Sequence, residues 1–179
     1  MKQILKREIS KLKNKAHVDQ KVLQKFLQRL KHKSLGLLKH ESLHDHFCTF
    51  FLPVHLKSKS VYLGHHIKAD DWIPPGGHIE PDEHPLDTIK REFLEELKHE
   101  LMDEKIELFD IGIKLIDNPL HNCKAHWDLW YLVHTDKINF RFTKKEYYHA
   151  SWFKLEKAVT LTQDKDQSII MQKLLLGKI

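Results

Sequence analysis

Residues 72–97 read WIPPGGHIEPDEHPLDTIKREFLEEL, and they divide into a loop and a helix. Four of the six prolines and two of the six glycines fall between Asp70 and Pro85, a density that marks a structured loop. From Pro85 the pattern changes. Pro85 suits a first helical turn, and Asp82, Glu83 and Asp87 suit the positive end of a helix dipole. Leu86, Ile89, Phe93 and Leu97 then form one apolar stripe, which predicts a helix from Pro85 to about Leu101. Beside that stripe stand Arg91, Glu92, Glu95 and Glu96. At about 100° per residue, Glu92 and Glu96 lie about 40° apart and Glu95 about 60° from Glu92. Like charges so placed destabilise a helix unless something neutralises them. A hard divalent cation does so best, because carboxylate oxygens suit Mg²⁺ or Mn²⁺. Gly76 and Gly77 let backbone approach closely, so the Gly76 carbonyl is a further candidate ligand. The plainer alternative is a solvated acidic face paired with Lys90, Arg91 and Lys98.

Outward from this stretch, Phe47–Leu52 reads as a strand bounded by Pro53, and Ser60–Ile67 as a second. Ile106–Ile116, Trp127–Val133 and Ala150–Phe153 read as three more, and Gln167–Leu176 as a closing helix. Residues 1–40 read as helix, with Val18, Val22, Phe26 and Leu30 every four residues, Leu23 and Leu27 widening the stripe, and Gly36 ending the region. Helices and strands are interleaved without regular alternation, which favours an α+β arrangement, a mixed sheet with flanking helices, over a doubly wound fold.

The chain has 179 residues, enough for one domain with a real core. The uncharged run Phe47–Leu56 falls far short of the ~20 residues a bilayer requires, and no secretory pattern opens the chain. Two cysteines cannot build a disulfide framework, so a reducing cytoplasm is expected. Residues 1–40 carry twelve Lys/Arg and two acids, a net of +10 against +5 for the whole chain, leaving the remainder at −5. Such a segment can attract nucleic acid, an anionic membrane surface or a phosphorylated ligand, although a solvated helical face is the simpler account.

The quoted stretch resembles the Nudix hydrolase signature. Gly77, Glu83, Arg91, Glu92, Phe93, Glu95 and Glu96 all fall at its spacings, while Lys98 and His99 replace its closing Gly and aliphatic residue. Without that Gly, the helix is expected to run on towards Leu101. HHIKADDWIPPGGH, LFDIGIKLI, HWDLWYLV and KKEYYHASWFKLEK are similar to flanking segments of bacterial members. The resemblance implies an α/β/α sandwich around a mixed sheet, with a basic helical extension (1–43), a hydrolase domain (44–160) and a C-terminal helix (161–179). It implies a metal-dependent hydrolase that cleaves a diphosphate bond in a nucleoside diphosphate derivative or similar phosphorylated small molecule. Glu92, Glu95 and Glu96, with the Gly76 carbonyl, would hold Mg²⁺ or Mn²⁺. Glu92 or Glu146 would position or deprotonate the water, and Arg91 would orient a catalytic glutamate. Glu83 ranks as a secondary participant. A binding protein of the same fold without turnover, or an enzyme acting on RNA 5′ ends through its basic helices, are the alternatives; nucleic acid is not favoured.

Among weaker signals, His78 follows the two glycines and is a candidate phosphate contact; Trp72, Trp127 and Trp130 are candidates to stack on a base, although core or loop packing is the commoner role of aromatics in strand-like segments. The 15 histidines include His65-His66, His44-x-His46 and His121-x-Cys123-x-x-His126, but none matches a closed four-ligand zinc pattern, and scattered surface or loop histidines are the expectation.

Overall fold

The computed structural model describes all residues except 33, 117–121, 137, 178 and 179. His121 therefore lies outside the described residues.

The sheet is built around β1 (Asp45–His55). Its partner on one side is β6 (Ala125–His134), which runs parallel from the pair Asp45↔Ala125 to Val54↔His134. At the edge beyond, β5 (Ile106–Leu115) pairs antiparallel with β6. Two strands share the other side of β1. The short β4 (Gly76–His78) pairs with Cys48–Phe50, and β2 (Ser60–His66) pairs with Val54 and His55. From there β2 diverges from β1 to pair with β3 (Asp71–Ile73) and β7 (Tyr147–Lys154). The sheet is mixed, as the irregular order of elements predicts.

Residues on alternate faces of β1 meet different helices. Phe47 and Phe51 face α1 (Lys2–Ser10), α2 (Gln20–Lys31) and α3 (Pro85–Leu97): Phe26 sits edge-on to Phe47, and Phe93 stacks on Phe51. Leu52 and Val54 face α4 (Leu155–Leu161) and α5 (Lys165–Leu175). The result is a three-layer α/β/α sandwich. Leu5, Ile9, Leu23 and Phe26 are buried in the same core as Phe51 and Phe93, so the basic N-terminal segment is part of the packed body.

Several elements differ from their sequence reading. The N-terminal helix is two helices separated by a turn in which Asn14 has φ 64°. Asp19 starts α2 by accepting hydrogen bonds from the Lys21 and Val22 backbone amides. Pro53 does not end β1. The Phe51 amide donates toward the β4 side, to the Pro75 carbonyl, so alternation aims the Pro53 nitrogen into the gap between β4 and β2, where no bond is missed. The proline-rich loop holds the strands β3 and β4. The closing helix starts at Lys165, capped by Asp164, and α4 carries too few residues for a period to show.

The third helix does not run on to Leu101 either. It stops at Leu97, and Lys98 turns the chain in the left-handed conformation, φ 52° and ψ 37°. The missing glycine is thus tolerated as strain rather than avoided. Left-handed backbone costs an L-residue about 1–2 kcal/mol, part of which a glycine's greater unfolded-state freedom offsets. Lys98 is exposed, so no packing is lost. Lys98→Gly should stabilise the fold by about 0.5–1 kcal/mol, seen as a higher urea midpoint with an unchanged m-value. A lower midpoint would show that the strain is absent.

Candidate active site

The start of α3 fixes which residues face the sheet. His84 accepts a hydrogen bond from the Leu86 amide, and Asp87 accepts one from the His84 amide, a reciprocal cap with Pro85 in the first turn. From that start, Ile89, Phe93 and Leu97 are buried. The glutamates do not share one environment. Glu95 points outward with its side chain 60% exposed, whereas Glu96 is only 8% exposed.

Glu96 accepts hydrogen bonds from the Tyr147 hydroxyl and from the Gly76 backbone amide. Burial, with the nearby charges of Glu92 and Glu146, pushes its carboxyl up to about 8. Among the described residues it has no cationic side-chain partner. Gly76 therefore touches the site through its amide. Burial likewise raises Glu92 above the usual carboxylate range. The Glu92 carboxylate lies against Gly77, where a Cβ would fall 1.9 Å from its Oε1. Glu146 precedes Tyr147 at the start of β7, and its Oε2 is 3.3 Å from His66 Nε2. The Tyr147 hydroxyl donates to Glu96, and burial with the charges of Glu96, Glu146 and Glu92 pushes its pKa well up.

Arg91 ties the helix to the loop before it. Its Nε and Nη2 donate to the two oxygens of Glu83 at 2.7 and 3.1 Å, and Nη2 also donates to the His78 carbonyl. Its Nη1 donates to Glu92 Oε1 at 2.8 Å and lies 3.7 Å from Glu95. The guanidinium beside Glu83 is the main cause that holds that carboxyl down to about 2. Such charge-assisted bonds make Arg91 the brace of Glu92.

The two aromatic candidates lie elsewhere. A Cβ on Gly77 would strike Glu92, so the next side chain along β4, His78, projects to the opposite face. There its ring meets those of His46 and His126, with centroids 4.9 and 5.8 Å away. Trp72 stacks on His65 and sits edge-on to His149 and Phe153, whereas His66, on the other face of β2, reaches Glu146. Neither His78 nor Trp72 is gathered with the glutamates. Two features escaped the sequence reading. Tyr147 was visible only as the neighbour of Glu146. The grouping of His46, Cys48, His78 and His126 needs the pairing of three strands, although the alternation in His46-x-Cys48 placed those two on one face.

Comparison with known proteins agrees with this geometry. A family model described as the NUDIX domain matches residues 49–174, more than half of the chain. The dihydroneopterin triphosphate diphosphatase of Haemophilus influenzae is 29% identical over 120 residues, covering 60% of this chain and 73% of that protein. The structure of the E. coli dihydroneopterin triphosphate pyrophosphohydrolase is similar at a TM-score of 0.66 with 16% identity, covering 73% of this chain and 95% of the other. A C. elegans Ap4A hydrolase is similar at 0.57 with 17% identity, covering 73% and 96%.

Proposed function

Since this chain belongs to the Nudix family and is a hydrolase cleaving a diphosphate linkage in a nucleotide-like molecule, we propose that its reaction depends on a divalent cation held by Glu92, Glu95 and Glu96. The observation that carries this reading is Glu96: a carboxylate buried beside two others, whose partners among the described residues are a hydroxyl and an amide. Burying an ionised carboxylate is costly unless a cation compensates it. The donors are all oxygens, which suits Mg²⁺ or Mn²⁺. Such an ion supplies positive charge for the phosphate oxygens and lowers the pKa of bound water.

The side chains divide the remaining work. Arg91 holds Glu92 against Gly77, and Glu83 holds Arg91. Glu146 accepts the proton of the attacking water. Glu92 is the poorer base, because Arg91 already occupies its Oε1, while the Glu146 side chain is 38% exposed and has His66 beside it to pass the proton on. Glu95, exposed and paired only at 3.7 Å with Arg91 among the described residues, would turn toward substrate and ion. Trp72 and His78 lie across the sheet from the carboxylates and have no part in this reading. No helix among the described residues is long and apolar enough to cross a membrane.

The relatives make dihydroneopterin triphosphate the first substrate to test. With Mg²⁺ or Mn²⁺ the protein should release pyrophosphate from it faster than from nucleoside triphosphates, dinucleoside polyphosphates, nucleotide sugars or capped RNA. Faster turnover of another member of that panel would move the substrate assignment. Turnover unaffected by metal chelation would overturn the cation reading.

A further inference from the structure

Four potential ligands from three strands converge on the face of β1 opposite α3. The two cross-strand pairs Cys48↔His78 and His46↔His126 bring them together. One ligand atom from each of His46, Cys48, His78 and His126 lies within 4.8 Å of all the others. We propose that these four residues bind a zinc-type ion, separate from the cation of the carboxylate site.

The donor set is three imidazoles and one thiol, the composition of zinc sites rather than of magnesium sites. Zn–N near 2.0–2.1 Å and Zn–S near 2.3 Å put tetrahedral ligand atoms about 3.3–3.8 Å apart. Closing the cluster therefore needs an inward movement of about 1 Å, within the reach of side-chain rotation. His46 is already oriented for the task. Its Nδ1 lies 3.0 Å from the Ser42 carbonyl, which can only accept, so Nδ1 carries the hydrogen and Nε2 keeps its lone pair. Among the described residues the rings of His78 and His126 make no hydrogen bond. His46 and Cys48 are buried, while His78 and His126 are half-buried on the wall of a cavity of about 540 Å³ that gives an ion its way in.

The charges also balance. Binding would release the thiol proton of Cys48 to solvent, leaving Zn²⁺ and one thiolate with a net charge of +1. Asp128 is the β6 register partner of Cys48, only 2% exposed, and its Oδ1 has no hydrogen-bond partner among the described residues. Lys114 already acts on this carboxyl, and the ion would be a second positive charge beside it. The ion would also tie β4 to β1 and β6. His78 is the residue after Gly77, which supports Glu92, and its carbonyl accepts from Arg91. A zinc clamp here would set the floor of the carboxylate site without entering it.

The test uses the full-length protein with Zn²⁺ and Co²⁺ alone, without substrate. Purified protein incubated with Zn²⁺ and desalted should retain about one equivalent, and Co²⁺ should give tetrahedral d–d bands with a thiolate charge-transfer band. Zinc should also raise the melting temperature. Cys48→Ala and His126→Ala should each reduce retained zinc at least tenfold, with circular dichroism confirming the fold, and Glu92→Gln should retain it in full. The proposal fails if wild type retains no zinc after desalting. It also fails if zinc survives both Cys48→Ala and His126→Ala, or is lost in Glu92→Gln instead. Because no arm reads activity, loss of the catalytic reading would leave this result unaffected.

Discussion

Glu96→Gln should lower kcat by about 10²–10³-fold, the range seen when one preorganised electrostatic group is removed from an active site, while leaving the protein folded and no less stable. The two halves of this result come from the same fact. Glu96 is buried, and without a cation its carboxyl titrates near 8 rather than at its ordinary 4.5. For a group raised in the folded state, the stabilising contribution is complete below the unfolded value and is lost as pH rises through the folded one. The EDTA-treated wild type should therefore lose stability as pH climbs from about 4.5 to about 8, and Glu96→Gln should flatten that slope, since an amide does not ionise. Chemical denaturation at a series of pH values reads the stability half, and steady-state kinetics in Mg²⁺ reads the other. Wild-type turnover in the variant would remove Glu96 from the reaction; a slope that persists would assign it to another group.

Gly77→Ala should be nearly as damaging to turnover, about 10²-fold, a scale set by displacement of a reacting group by about 1 Å. The added methyl would sit 1.9 Å from Glu92 Oε1 and 2.4 Å from its Cδ. Nothing tolerates such a contact, so something must move. The yielding partner is the tip of a flexible side chain rather than backbone, which makes the change inexpensive for folding. Glu92, however, is held by Arg91, and Arg91 by Glu83. Displacing the tip strains that chain of charge-assisted bonds and spoils the position the carboxylate must keep. The expected signature is a fall in kcat with a melting temperature within a few degrees of wild type. A large drop in melting temperature with the kcat of the folded fraction unchanged would mean that β4, and not Glu92, had given way.

Gly77 also shows what a sequence can and cannot reveal. Its spacing from Glu83, Arg91, Glu92, Glu95 and Glu96 identified the family and the mixed three-layer fold before any coordinate was known. Local rules sufficed there because a capped helix fixes the relative angles of its own side chains. They failed where the outcome depends on neighbours distant in the chain. Glu95 and Glu96 are adjacent in sequence, yet one is exposed and the other buried, because β4 and Tyr147 close over only one of them. His78 followed two glycines and suggested a phosphate contact. Strand alternation turned it away from the carboxylates and into a cluster with residues thirty or more positions away on either side. The end of α3 was misjudged for a different reason. Lys98 adopts the backbone conformation the signature reserves for glycine, and accepts the strain.

The parallel ladder from Asp45 to Val54 against Ala125 to His134 governs when this molecule can form. Its two halves are separated by a long stretch of chain, so the centre of the sheet closes only after β6 has emerged from the ribosome. Until then Phe26, Phe47 and Phe51 have no finished surface to rest on. A nascent chain paused before residue 125 would expose these rings behind a basic segment, residues 1–40, the kind of intermediate that chaperones engage.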